Sequence, residues 1–287
     1  MHRLGDFELH AVGDGFFRLD GGAMFGIVPK PLWEKVLPPD ERNRVRLALT
    51  ALLVKTGRAN VLVDTGIGAP KRTAKFLELY GVEQPPRLEE SLAAAGVGPG
   101  EIDYVVLSHL HFDHAGGATV RRGETFVPAF PRATYVVQEG TWEEALDPNP
   151  RTRGSYMQED FLPLREAGRV RLVRGEEELV PGVRVRRSGG HCGHHQVVEL
   201  ESGGRKAIYW ADLLPTSRHL RPAWVMGYDL FPAEVAATKA RLLERIAAER
   251  WVNIFEHDPD VAMAYVVKKD KDFAVETIEG VPRGPLG

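Results

Sequence analysis

The run Ser108-His109-Leu110-His111-Phe112-Asp113-His114-Ala115-Gly116-Gly117 packs three imidazoles and one carboxylate into six consecutive positions. In an extended segment His109 and His111 point to the same side, because strand side chains alternate with a period of two. They can therefore share one metal ion. A turn at Asp113-His114 re-aims the next two side chains towards an adjacent position, so one short peptide can serve two neighbouring ions. Neutral imidazole and carboxylate are ligands that zinc, manganese and iron all accept. A lone histidine in a polar loop would need no such account. Three of them with an aspartate at this spacing, directly behind an apolar run, point to metal.

That apolar run, Tyr104-Val105-Val106-Leu107, reads as a strand that delivers the cluster to a sheet edge, and the glycines behind it allow a tight bend. Residues 7–19 alternate and read as strands around a turn at Gly13-Asp14-Gly15. Asp20 to Gly26 is too Gly-rich for a regular element, and the four prolines of 29–44 leave at most short helical turns. Residues 46–55, 60–63, 126–127, 134–137, 170–173, 183–186, 197–201, 207–210, 251–255 and 264–267 read as strands. Helical spacing occupies 71–80, with Gly81 as the residue after its end, 87–95 and 140–146. Residues 147–168 look irregular, in part helical, and lid-like. The strongest helix is 232–249, with Pro232 in the first turn and Val235, Leu242, Leu243 and Ile246 as its apolar stripe. The last few residues read as a loose tail.

Composition bounds the function class. The 287 residues are 43% hydrophobic and 27% charged, which is ordinary globular composition with enough chain for a large core. Net charge is −3 with both signs interspersed, so no clustered basic face marks a nucleic-acid binder. Cys192 is the one cysteine, which excludes an intrachain disulfide and fits a reducing compartment. No apolar leader follows Met1 and no run reaches the length of a membrane span. A cytoplasmic protein with no membrane and no nucleic-acid partner is expected, acting on a small molecule; a homodimer is compatible with this.

Four further polar positions each follow a β-like run: Asp64, the segment Ser188-Gly189-Gly190-His191-Cys192-Gly193-His194-His195-Gln196, Asp212, and Glu256-His257-Asp258. Strand-end loops on a rigid scaffold are where layered α/β folds carry their chemistry. In this order, the run SHLHFDHAGG and the segments after it resemble the metallo-β-lactamase-fold hydrolases, and the acyl-homoserine lactonase and methyl parathion hydrolase-like branch in particular. The resemblance covers most of the chain. It implies a four-layer αββα sandwich, one domain over 1–287 with two pseudo-symmetric halves. It also implies two divalent ions, zinc by preference with manganese or iron as alternatives, about 3.5–4 Å apart as in other two-metal sites. By the same resemblance His109, His111 and His191 hold one ion, Asp113, His114 and His257 the other, and Asp212 bridges them. His195 and Asp64 match residues that orient ligands from behind. The chain departs from the family pattern at His194, which stands where a glycine is usual. Cys192 is read as no ligand, because neighbours on an extended segment point apart.

The resemblance implies hydrolysis of an ester or lactone by a metal-bridging hydroxide that Asp113 orients, with phosphotriesters as a side activity. Thioesters, β-lactams and iron-dependent redox chemistry are the alternatives on the same fold. Lactonases of the family place a Tyr close after the bridging Asp, whereas here Leu213-Leu214-Pro215-Thr216 follows, so Tyr228 or His219 is the candidate stand-in. Met24 and Phe25 are candidates for an apolar lip over the metals, against the plainer reading that they pack into the core.

Overall fold

The protein is described from a computed structural model, which covers residues 1–84 and 86–279; the expected tail at 280–287 lies outside the described residues. Seven strands form the first sheet, in the order His2–Leu4, Phe7–Asp20, Arg44–Lys55, Asn60–Val63, Tyr104–Val106, Thr134–Gln138 and Val170–Val173. Its first four strands pair antiparallel, and from Asn60–Val63 onward the neighbours run parallel. The second sheet runs Glu176–Val180, Val183–Arg187, Gln196–Ser202, Arg205–Tyr209, Val252–Ile254, Met263–Lys269 and Asp272–Thr277. Its single parallel pair, Arg205–Tyr209 with Val252–Ile254, is the one whose connection contains the helix Pro232–Glu249. Parallel neighbours require such a crossover, whereas antiparallel ones need only a turn.

Alternating side chains bury both faces of each sheet. Leu9, Leu52, Val63 and Val106 of the first sheet meet Val198, Tyr209 and Ile254 of the second in one cluster between them. Leu62, Val105 and Tyr135, from the opposite face of the first sheet, pack with Leu92, Trp142 and Phe161 of its helices. Ile208 and Val266 of the second pack with Leu242, Leu243 and Ile246 of Pro232–Glu249. The result is helix, sheet, sheet, helix: the four-layer αββα sandwich. Among the described residues, no helix is long and apolar enough to cross a membrane.

Several elements differ from their sequence reading. The expected turn at Gly13-Asp14-Gly15 is a bulge inside one continuous strand, Phe7–Asp20, with the register shifting between Gly13 and Phe16. Gly15 is needed there, at φ +86° with Glu83 O only 2.2 Å from where a Cβ would stand. Asp14 turns inward, and its carboxylate accepts from the backbone N–H groups of Ile67, Gly68 and Leu88 at 2.9, 3.2 and 3.1 Å. Asp20 to Gly26 is not irregular. It holds a short helix, Gly21–Phe25, whose first turn is capped by Asp20 Oδ1 accepting from Ala23 N at 2.9 Å. Within 147–168, read as irregular and in part helical, the helical part is Gln158–Glu166.

Candidate metal centre

The local fold explains how one hexapeptide can face two ways. The chain leaves Tyr104–Val106 extended through His109 and His111, and then starts the helix Phe112–Ala115, with His111 as its cap residue. The helix takes Asp113 and His114 out of the extended register of the first two imidazoles, with the His114 ring still 4.0 Å from that of His109. From the second sheet, His191 lies in the loop after Val183–Arg187, Asp212 in the 3-10 turn Ala211–Leu213, and His257 just past Val252–Ile254.

These loops converge at one edge of the sandwich. Ligand-capable atoms of His109, His111, His191 and Asp212 all lie within 4.8 Å of one another, and so do those of Asp113, His114 and His257. Asp212 stands between the sets. Its Oδ2 is 3.0 Å from His191 Nε2 and 3.3 Å from His114 Nε2, and its Oδ1 is 3.2 Å from His257 Nε2. All seven side chains are buried, yet His109 Nε2 and Asp212 Oδ1 have no hydrogen-bond partner among the described residues. Imidazole nitrogens face each other across the cage, His191 Nε2 and His111 Nδ1 at 3.2 Å, His257 Nε2 and His114 Nε2 at 3.3 Å. Buried polar atoms without partners are costly, and here they point inward at shared positions. The donor set therefore fits divalent cations. Burial holds the imidazoles of His109 and His111 well below the ordinary histidine range, so both are neutral and available as ligands.

The outer nitrogens are held from behind, as metal-binding imidazoles usually are. His191 Nδ1 is 2.9 Å from Asp229 Oδ1, and His257 Nδ1 donates to Ala48 O at 2.8 Å. His114 Nδ1 lies 3.1 Å from Asp64 Oδ2, and Asp64 also accepts from Ser108 N and Oγ, both at 2.7 Å. His195 lies behind Asp212: its Nε2 accepts from Asp212 N at 3.2 Å, and Ser188 Oγ is 2.6 Å from its Nδ1. Asp229 escapes the sequence reading, which names Glu256 beside His257 without a role. Glu256 Oε2 is 2.9 Å from His114 Nδ1, and burial pushes its carboxyl up to about 8, with His114 opposing and Asp64 adding to the rise. A lone acid beside a tyrosine or a histidine carries no periodic signal, although the position of Glu256 next to His257 could have flagged it.

The pocket candidates divide. A cavity of about 290 Å³ opens over the cage and is lined by Met24, Tyr228, Tyr80, Met226 and Arg151 together with the ligands. Phe25 does not line it. Phe25 is fully buried, stacked on His219 at 4.6 Å and on Trp33 at 5.4 Å, so the apolar lip reading is corrected to core packing for this residue. His219 is likewise removed from the cavity: its Nε2 donates to Met24 O at 2.9 Å and its Nδ1 lies 2.8 Å from Thr216 Oγ1. Cys192 is buried behind the cage, where burial pushes its thiol up. His194 reaches Glu144 Oε1 at 3.1 Å, on the outer side.

The His219 environment carries a pH consequence. Burial pushes this imidazole down from about 6.5 to about 3. Between those values the unfolded chain binds a proton that the folded chain refuses. Stability from the neutral ring is complete above pH 6.5 and is lost as pH falls through the window. The metal-free protein should lose about 2–3 kcal/mol of stability between pH 6.5 and 4.5 through this group. Denaturant midpoints across that range should fall less steeply for His219→Gln; parallel slopes would mean that the ring is protonated in the fold.

Fold and cage together define a class. The family model described as the metallo-beta-lactamase superfamily matches residues 45–257, and the chain belongs to that superfamily. A Staphylococcus aureus protein described as a probable metal-dependent hydrolase superimposes with a TM-score of 0.90 at 33% identity, over 98% of this chain and 100% of that one. N-acyl homoserine lactonase AiiA of Bacillus thuringiensis subsp. kurstaki is 28% identical over 228 residues, 75% of this chain and 82% of that protein. AidC, a dizinc quorum-quenching lactonase in complex with a product, N-hexnoyl-L-homoserine, shares the fold with a TM-score of 0.81 at 20% identity, over 98% of this chain and 97% of that one. The chain is a metal-dependent hydrolase, and lactonases are among its relatives.

Proposed function

We propose that the chain binds two divalent ions, zinc by preference, and hydrolyses an ester or lactone bond, with phosphotriesters as a side reaction. The observation that supports this best is the position of Asp212 between the two sets of imidazoles, with Oδ2 at 3.0 Å from His191 and 3.3 Å from His114 and Oδ1 at 3.2 Å from His257. A carboxylate so placed suits a bridge. His109, His111 and His191 would hold one ion and Asp113, His114 and His257 the other. When bound, two such ions make hydroxide available at neutral pH, by lowering the pKa of water from near 16 to about 7, and polarise the scissile oxygen.

The remaining work falls to side chains. Asp113 lines the cavity and would orient the attacking oxygen through a hydrogen bond while ligating. Tyr228, half-exposed on the same cavity, keeps its proton because burial raises its pKa, and would donate to the departing alkoxide. The segment Leu213-Leu214-Pro215-Thr216 that follows Asp212 is buried and carries no phenol that could. Both sheets feed one core and one site, which supports a single domain of two related halves over all 287 residues.

Metal-loaded protein should carry two ions per chain by elemental analysis and hydrolyse members of a panel of lactones, esters, thioesters and phosphotriesters. Chelation should abolish the activity, and the metal alone should restore it. One ion per chain at saturation would overturn the dinuclear reading. A panel in which only thioesters or only redox substrates turn over would overturn the ester reading.

A further inference from the structure

One charged side chain on the cavity wall has no part in holding the cage. Arg151 lies on the segment between the helices Glu139–Leu146 and Gln158–Glu166, and its guanidinium reaches across the mouth to Gly227 O. The backbone that carries it is fixed. Asn149 Oδ1 accepts from Arg151 N at 2.9 Å and from Thr152 N at 3.2 Å, and five residues on, Tyr156 bridges His111 and packs against its ring at 4.9 Å. A guanidinium has five donors, and one carbonyl uses one of them. Among the described residues Arg151 pairs with no carboxylate within 4.0 Å. About half of the described arginines do have such a partner, among them Arg18, Arg44, Arg46, Arg184 and Arg186.

The rest of the lining sharpens the contrast. The acids on the cavity wall are Asp113 and Asp212, and both belong to the cage. Once the cage holds cations, nothing on the wall offsets Arg151. The other polar groups facing the space are hydroxyls of Tyr80, Tyr228, Thr152 and Ser155, which can donate to an anion. The volume, about 290 Å³, is at the small end for ligand pockets. It has room for a compact substrate.

We propose that Arg151 forms an anion subsite at the mouth of this cavity, and that the substrate is a small ester or lactone bearing a carboxylate remote from the scissile bond. This rests on the hydrolase reading above. The scissile carbonyl faces the cage, and the remote carboxylate displaces Gly227 O from Arg151 and forms a two-pronged pair with the guanidinium. Planar bidentate recognition of this kind is what Arg does better than Lys.

The test compares two probes of equal chain length, methyl hexanoate and monomethyl adipate, on metal-loaded parent, Arg151→Gln and Arg151→Glu. The parent should favour the anionic ester in kcat/KM by about ten-fold or more, chiefly through KM, with the preference shrinking as salt rises. Arg151→Gln should bring the ratio close to one, and Arg151→Glu should invert it. Arg153→Gln, an exposed neighbour off the cavity wall, should keep the parent ratio. A parent without preference, or a preference that survives Arg151→Gln, would overturn the subsite. If neither ester is hydrolysed, simple linear esters are excluded as substrates and the proposed function rests on the lactones of the panel above. Calorimetric titration of monomethyl adipate into metal-loaded parent and Arg151→Gln then still decides the subsite: tighter binding to the parent supports it, and equal binding or none overturns it.

Discussion

Asp113→Ala is expected to lower kcat by at least about two orders of magnitude, equivalent to about 2.7 kcal/mol of barrier. The size follows from the two things that one side chain does. Asp113 Oδ2 lies 3.7 Å from His257 Nε2 and 3.8 Å from His114 Nε2, so in the proposed mechanism it would complete the donor set of one ion. It also lines the cavity, where it can accept a hydrogen bond from the attacking oxygen and hold a lone pair towards the substrate. Asp113→Asn keeps an oxygen donor without the charge and should fall between parent and alanine variant. The fold should tolerate both changes, because the carboxylate contributes to no apolar cluster and its removal takes a negative charge out of a buried site. Turnover, metal content and metal-free unfolding should be measured together. Near-normal turnover with full metal content would remove Asp113 from the chemistry, and loss of the fold would make it a structural residue instead.

The second large effect is on stability. Asp160→Ala should cost about 3–5 kcal/mol in denaturant unfolding, the range for stripping a buried pair of its partner. Asp160 is fully buried, with Lys71 Nζ 2.7 Å from its Oδ1 and Arg72 Nη2 2.6 Å from its Oδ2, and both cationic side chains are only 3% exposed. Alanine leaves two buried cations facing each other. The damage should also reach the cage. Arg72 donates to Ile67 O at 2.9 Å and to Phe112 O at 3.3 Å, so it braces the helix that carries Asp113 and His114. Asp160→Ala should therefore weaken metal retention as well. A loss under about 1 kcal/mol would mean that water replaces the carboxylate, and that the triad is wetter than its burial implies.

How much of this was legible in the sequence depends on where each residue's partners lie. The cluster His109 to His114 could be read because its spacing alone implies geometry, and the helix Pro232–Glu249 because its apolar stripe repeats every turn. Asp14 was read as part of a turn because Gly-Asp-Gly has turn chemistry. What fixes it are N–H groups 53 to 74 positions away, which no local pattern reveals. Phe25 carried the same composition signal whether it lined a pocket or filled a core. Only the distant Trp33 and His219 rings decide between them. The strands Glu176–Val180 and Asp272–Thr277 were missed because their exposed faces are charged. Glu176 faces Arg186 across the ladder, a pairing that stabilises a sheet without apolar alternation. Asp229 and Glu256 show the same thing at the site: a residue that supports a ligand is recognisable only once the ligand's position is known.

The cage draws its side chains from both sheets, and this sets a timetable for biosynthesis. His114 and His257, 3.3 Å apart when folded, are 143 positions apart along the chain. At roughly 5–20 residues per second, a ribosome needs roughly 7–30 s to travel between them. Throughout that interval the growing polypeptide displays His109, His111, Asp113 and His114 without the last imidazole, and for most of it without Asp212 as well. Strand Val252–Ile254 must emerge and pair with Arg205–Tyr209 before His257 can swing into place. Filling of the proposed position at Asp113, His114 and His257 would therefore be a closing event, completed after nearly all of the second half has been made. A chain that stalls or is clipped before residue 257 carries at most a crippled cage. In a cell, metal content thus reports whether the two halves of the molecule have met.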